Sequence, residues 1–126
     1  MDRHVASRLK KEQVIWLVSA SKNGRPQAVP VWFVWDAKSV LVYAQDGTKV
    51  RHIRENPHVE LHLNSDEAGD DVVRVSGQAT IAKSRPPQNA AFMRKYGRAI
   101  RDLGMTAESF LDQYHNAIQV RRLRFH

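Results

Sequence analysis

Pro26-Gln27-Ala28-Val29-Pro30-Val31-Trp32-Phe33-Val34-Trp35, read as a strand, is apolar on both of its faces. At a period of two, Val29, Val31, Phe33 and Trp35 point one way, and Pro30, Trp32 and Val34 point the other. A strand with one wet face alternates apolar and polar residues, so this one asks for two covers. In so short a chain the second cover is expected from a partner subunit or a flat ligand. The competing reading is a tightly packed core strand with one proline irregularity. Pro30 has no N–H to give to a ladder, which puts it at an edge or a bulge and leaves neighbouring backbone groups free.

Short links join this stretch to other strand signals. Upstream, the β-rich run 14–19 leads into Lys22-Asn23-Gly24-Arg25, an Asn-Gly turn. Downstream, the turn Asp36-Ala37-Lys38-Ser39 leads to a strand over Val40–Ala44, and a three-stranded antiparallel meander is expected. Residues 59–64 alternate, with Val59, Leu61 and Leu63 inward and His58, Glu60, His62 and Asn64 outward. An acidic loop, 65–71, separates them from Val72–Ala82, in which Gly77 marks a bulge or bend. The chain closes on a strand over 117–125. Helices are expected at 2–13, from Ser84-Arg85-Pro86-Pro87 to Leu103 with an apolar stripe of Phe92, Met93, Tyr96 and Ile100, and after Thr106 as N-cap, carrying Phe110, Leu111 and Tyr114. Six strands joined by short turns, with flanking helices, predict a mainly β (α+β) small antiparallel barrel rather than βαβ units.

The bulk composition narrows the function. A chain of 126 residues is expected to form a single domain spanning 1–126. It has no cysteine, which excludes disulfides, thiolate zinc sites and thiol nucleophiles. Its longest apolar run, Val29–Trp35, falls far short of the roughly 20 residues a membrane helix needs. The N-terminus has no apolar signal region, so a cytoplasmic protein with no membrane partner is expected. The net charge of +7 favours anionic partners without naming them, because the basic residues fall in small scattered groups.

One such group follows the third strand signal. Asp46-Gly47 is a turn, after which Thr48 is expected to cap a short helix that stops near Asn56, ahead of Pro57. Free N–H groups, the helix dipole and the charges of Lys49 and Arg51 would together suit a phosphate or carboxylate. A surface helix with solvated basic residues is the alternative on these residues alone. Combined with the dry strand, the anion site would accept a ligand that is planar at one end and anionic at the other. Flavin nucleotides have that form.

Three motifs occur in order: Gly24-Arg25-Pro26-Gln27 through Pro30-Val31-Trp32-Phe33; Thr48-Lys49, Arg51, Ile53-Arg54 and Asn56-Pro57; and Val72-Val73, Val75, Gly77 and Ala79. Together they resemble the pyridoxamine 5'-phosphate oxidase-like split β-barrel family over about residues 10–125, and within it the flavin/deazaflavin oxidoreductase branch. Residues 95–106, Lys-Tyr-Gly-x-x-Ile-x-x-Leu-Gly-Met-Thr, resemble one subgroup of that branch, several members of which use F420. The resemblance implies a six-stranded FMN-binding split barrel, a homodimer with cofactor sites at its interface, and F420, or else FMN, as cofactor. It implies that Lys49 contacts the cofactor phosphate, that Val29, Pro30, Val31 and Trp32 lie along the ring system with Gln27 beside them, and that Thr48 and Arg51 adjoin the anionic group. Thr48 departs from the oxidases proper, which often have a basic residue there. His62 and Asn64 are candidates to reach the partner's site. The implied activity is hydride transfer between the cofactor and a small electron-poor organic substrate, with no catalytic side chain of the protein's own.

Alternatives keep the fold but change the chemistry: an FMN-, FAD- or haem-binding protein that transfers no hydride. A nucleic-acid-binding barrel would use Trp16, Trp32 and Trp35 as stacking platforms, but these lie in apolar runs, away from the basic groups. His52, His58 and His62 lack a recognisable metal-ligand spacing and are expected to be solvated or interfacial, with no metal bound.

Overall fold

A computed structural model describes residues 1–82 and 88–126. The elements in chain order are α1 (Arg3–Lys11), β1 (Ile15–Ala20), β2 (Pro26–Val31), β3 (Val34–Trp35), β4 (Val40–Ala44), α2 (Thr48–Glu55), β5 (His58–His62), β6 (Arg74–Ile81), α3 (Ala90–Asp102), α4 (Ala107–Gln113) and β7 (Asn116–Phe125). The described strands form one antiparallel sheet in the order β2-β1-β5-β6-β7-β4-β3. Its two edges, β2 and β3, are consecutive in sequence, so the sheet curls until its ends face each other without pairing. This is a split β-barrel.

Three sequence expectations change. Seven strands form rather than six, because 26–35 breaks at Trp32–Phe33 into β2 and β3. No meander forms either: β2 pairs only with β1, while β3 and β4 lie at the opposite edge beside β7. The break lets the chain cross the barrel mouth instead of turning back on itself, and short links alone could not reveal that. The second cover over the dry stretch comes from the chain itself. Trp32 and Val34 pack into an aromatic cluster under α3 and α4, with Tyr43, Phe92, Tyr96 and Phe110, while Val29 and Val31 pack on the barrel core.

Other expectations hold. Pro30 lies in an edge strand, and Val59, Leu61, Leu63, Val73, Val75 and Ala79 are buried inside the barrel. Gly24 has φ +83°, as its turn requires. Gly77 faces a bulge: between Ser76 and Gln78 the register with β7 shifts, and Arg122 on β7 adopts φ +55°. Thr106 caps α4 through a capping box with Ser109. The expected opening of the long helix at Ser84-Arg85-Pro86-Pro87 lies outside the described residues. Asn89 caps α3, accepting from the Phe92 N–H at 2.9 Å. At the N-terminus, Asp2 caps α1, and Arg8 and His4 bind Asp71 at 3.0 and 2.8 Å, tying α1 to the acidic loop.

Candidate functional site

The third strand signal, now β4, delivers the chain to a cavity of about 360 Å³ through Tyr43, Ala44 and Gln45. Lys49 lines it from the first turn of α2, and Pro30, Val31 and Trp32 line it from the end of β2. Residues as far apart in sequence as Val14 and Tyr114 thus meet: α4 adds Phe110, Tyr114 follows it, and exposed Leu103 stands at the rim. The volume lies within the roughly 300–1,000 Å³ typical of small-molecule sites.

Four of the eight expected binding residues therefore converge: Pro30, Val31, Trp32 and Lys49. The other four stand outside the cavity. Gln27 and Val29 lie earlier on β2, opposite Ser19 and Leu17. Thr48 opens α2 but does not cap it. The cap position is Gly47, in extended backbone, and among the described residues no side-chain cap bonds the start of the helix. Thr48 instead accepts a hydrogen bond from Nη2 of exposed Arg51 at 2.9 Å. A helix start left without a side-chain acceptor, beside an ammonium group, suits an anion.

The apolar end is a run of near-parallel rings. The Trp32 indole lies 4.7 Å from Tyr96 at 5°, and 6.0 Å from Phe110 at 12°. Phe110 in turn stacks on Tyr114 at 4.6 Å and 22°. Burial pushes the Tyr43 phenol above its ordinary pKa. Tyr43, Phe110 and Tyr114 were visible in the sequence only as apolar positions, two of them four apart on one helix face, a pattern that serves a core equally well.

The remaining candidates separate. His52 is not solvated: it is buried on α2, with Nδ1 3.0 Å from Ser19 Oγ on β1. His62 stacks on Trp16 at 6.1 Å, on the outer face, where Asn64 accepts from the Trp16 indole N–H at 2.8 Å. No three His, Asp or Glu side chains gather as metal ligands among the described residues. Trp35 is buried in the barrel and Trp32 is stacked against Tyr96 and Phe110, so two of the three supposed stacking platforms are engaged within the fold.

A family model described as pyridoxamine 5'-phosphate oxidase matches residues 1–125. The chain belongs to that family. Solved structures with this family's fold agree. An F420 reductase superposes with a TM-score of 0.73 at 19% identity, covering 100% of this chain and 98% of its own. A Listeria innocua protein carrying a provisional assignment as a pyridoxamine 5'-phosphate oxidase gives 0.66 at 19% identity, covering 97% and 94%. HutZ, the heme storage protein from Vibrio cholerae, gives 0.59 at 13% identity, covering 94% and 88%. A search of curated proteins finds no match. At such identities the likeness extends to the fold alone, and members of this pyridoxamine 5'-phosphate oxidase family must be told apart by their sites. Among the described helices none is long and apolar enough to cross a membrane.

Proposed function

We propose that this chain is an oxidoreductase of the flavin/deazaflavin branch, transferring a hydride between F420, or else FMN, and a small electron-poor organic substrate. The observation that carries this reading is the convergence of Pro30, Val31 and Trp32 with Lys49 on one cavity. A flat ring system needs apolar walls and a phosphate needs a cation with free amides. Pro30, Val31 and Trp32 would supply the walls, and Lys49 in the first turn of α2 the cation.

In this reading Lys49 and the start of α2 hold the cofactor phosphate, with Arg51 adding charge from outside. Pro30, Val31 and Trp32 hold the ring. When bound, the cofactor supplies the hydride, and no side chain need act as acid or base. The protein orients the ring, keeps water from its apolar side and leaves one face open to the substrate. The 63% exposed Leu103 at the rim of the cavity favours a homodimer in which a second copy closes the site.

Haem storage, the role named for HutZ, is less well supported at this cavity. No histidine or methionine lines it among the described residues, and its phenols are Tyr43, whose ionisation burial opposes, and Tyr114.

Titration of the purified protein with F420 and with FMN tests the reading. Binding at micromolar affinity or better is expected. A charge-assisted hydrogen bond contributes about 1.5–3 kcal/mol, so Lys49→Ala should raise Kd by roughly 10- to 150-fold. Lys11→Ala, on an exposed face of α1, should leave it unchanged. Failure of both cofactors to bind, together with salt-sensitive binding to nucleic acid, would overturn it.

A further inference from the structure

The Lys95-Tyr96-Gly97 run lies on α3, behind the cavity wall rather than in it. Its two polar side chains reach a single residue, Phe33, at the break between β2 and β3. A continuing strand would give both peptide groups of Phe33 to a ladder. Here the Phe33 N–H donates to Tyr96 Oη at 2.9 Å, and the Phe33 carbonyl accepts from Lys95 Nζ at 3.0 Å. The phenol has one proton of its own and two carbonyls in reach: Gln13 at 2.7 Å and Phe33 at 3.0 Å. Because the lysine already serves Phe33, the phenol proton is best placed on the shorter contact, Gln13, and both peptide groups of Phe33 are met.

This arrangement has a consequence for the cavity. Phe33 and Tyr96 are fully buried and Lys95 is half-buried, so the tyrosine side of the clamp cannot trade its partners for water. The Lys95 ammonium also sits 3.9 Å from the centre of the Phe33 ring, fixing the side chain as well as the peptide. The adjacent residue is Trp32, whose indole lies flat on Tyr96 at 4.7 Å and which lines the cavity. One residue of α3 therefore backs the indole with its ring and holds the neighbouring peptide with its hydroxyl.

We propose that Tyr96 and Lys95 are positioning residues: by taking both peptide groups of Phe33 they hold the edge strand open and fix the Trp32 indole in the cavity wall beside which the cofactor ring lies. The clause about the cofactor rests on the function proposed above. The hydroxyl and the amine are the parts that matter, since Tyr96→Phe keeps the stacked ring and Lys95→Met keeps the length of the chain.

Two measurements on the full chain test this independently. In the cofactor-free protein, the Trp32 indole N–H resonance, assigned with Trp32→Phe, should move in Tyr96→Phe and in Lys95→Met. It should stay in place in Ile100→Val, a core change in the same aromatic cluster. With FMN as the probe, Tyr96→Phe should raise Kd about tenfold and alter the visible circular dichroism of the bound flavin. Ile100→Val should do neither, even at an equal loss of Tm. If Tyr96→Phe fails to fold, Lys95→Met carries both measurements. An unmoved Trp32 resonance overturns the proposal. So does a variant that loses Tm while FMN affinity and dichroism stay at their wild-type values. If wild-type protein binds neither FMN nor F420, the functional reading falls with the cofactor clause, while the Trp32 resonance still decides whether the clamp positions the indole.

Discussion

Gly77→Ala should destabilise the barrel, and its cost can be worked from the contacts. A Cβ at Gly77 would stand 2.7 Å from Val120 Cγ1, 2.8 Å from the Arg121 carbonyl oxygen and 3.3 Å from Leu123 Cδ2. Carbon–carbon contacts are comfortable at about 3.5–4.0 Å, so Val120 and the β7 backbone must retreat by close to 1 Å. Neither gives easily: Val120 is fully buried and β-branched, and the Arg121 carbonyl belongs to the strand that bulges past Gly77. Overpacking of this kind costs about 1–3 kcal/mol, offset by the roughly 0.5–1 kcal/mol an alanine gains over glycine in regular structure. The net expectation is about 1–2 kcal/mol lost. At about 2.1 cal/mol/K per residue, unfolding this 126-residue chain carries an entropy near 0.26 kcal/mol/K, so Tm should fall by roughly 4–8 °C. Gly97→Ala is the control with the opposite sign. It lies inside α3, its nearest foreign atom is Arg101 Nη1 at 3.7 Å, and alanine should stabilise by about 0.5–1 kcal/mol. Calorimetry and urea unfolding of both variants decide the matter. A Gly77→Ala protein within about 2 °C of wild type would refute the claim that the β7 bulge is pressed against a bare Cα.

Other expectations are simpler to check. Burial lowers the Lys95 pKa to about 8, so below that pH the fold carries a charge that the unfolded chain holds more comfortably. The unfolded state then binds more protons between pH 8 and the ordinary lysine value. Stability from this group should therefore rise with pH across that window, and urea titrations at pH 7.5 and 9.5 should show a rise in wild type that Lys95→Met lacks. Asp46 behaves in the opposite sense: its hydrogen bond from Asn116 at 2.9 Å, aided by His115, holds its pKa below the ordinary carboxylate value. That contribution is present above the ordinary value and is lost on acidification, so Asp46→Asn should flatten the acid limb of the stability profile. Thr106→Ala breaks the capping box of α4 and should cost about 1 kcal/mol, read as a lower urea midpoint with an unchanged slope.

Much of this was legible in the sequence because it is local. The alternation of Val59, Leu61 and Leu63 fixes which face of β5 is buried, Asn23-Gly24 demands a turn, and Thr106 announces a helix start. The motif spacing around Lys49 and Asn56-Pro57 singled out a residue that lines the cavity. His52 shows the limit: nothing in its neighbours tells that it turns inward to Ser19 on a strand 33 residues earlier.

What the residues determine by themselves is therefore the inventory: strands with one or two dry faces, caps, turns, a proline that must sit at an edge, and a cation at a helix start. Only the tertiary structure decides that 26–35 breaks at Trp32, where Tyr96 and Lys95, 63 and 62 residues beyond Phe33, meet the Phe33 peptide groups that the break frees. It also decides that the second dry face is covered from within, by rings on α3 and α4, and that Phe110 and Tyr114 share a wall with Lys49. The physical reason is common to all three: a periodic pattern records that a side chain must be buried, but the atoms that bury it come from elsewhere in the chain, and their identity is fixed only when the sheet curls.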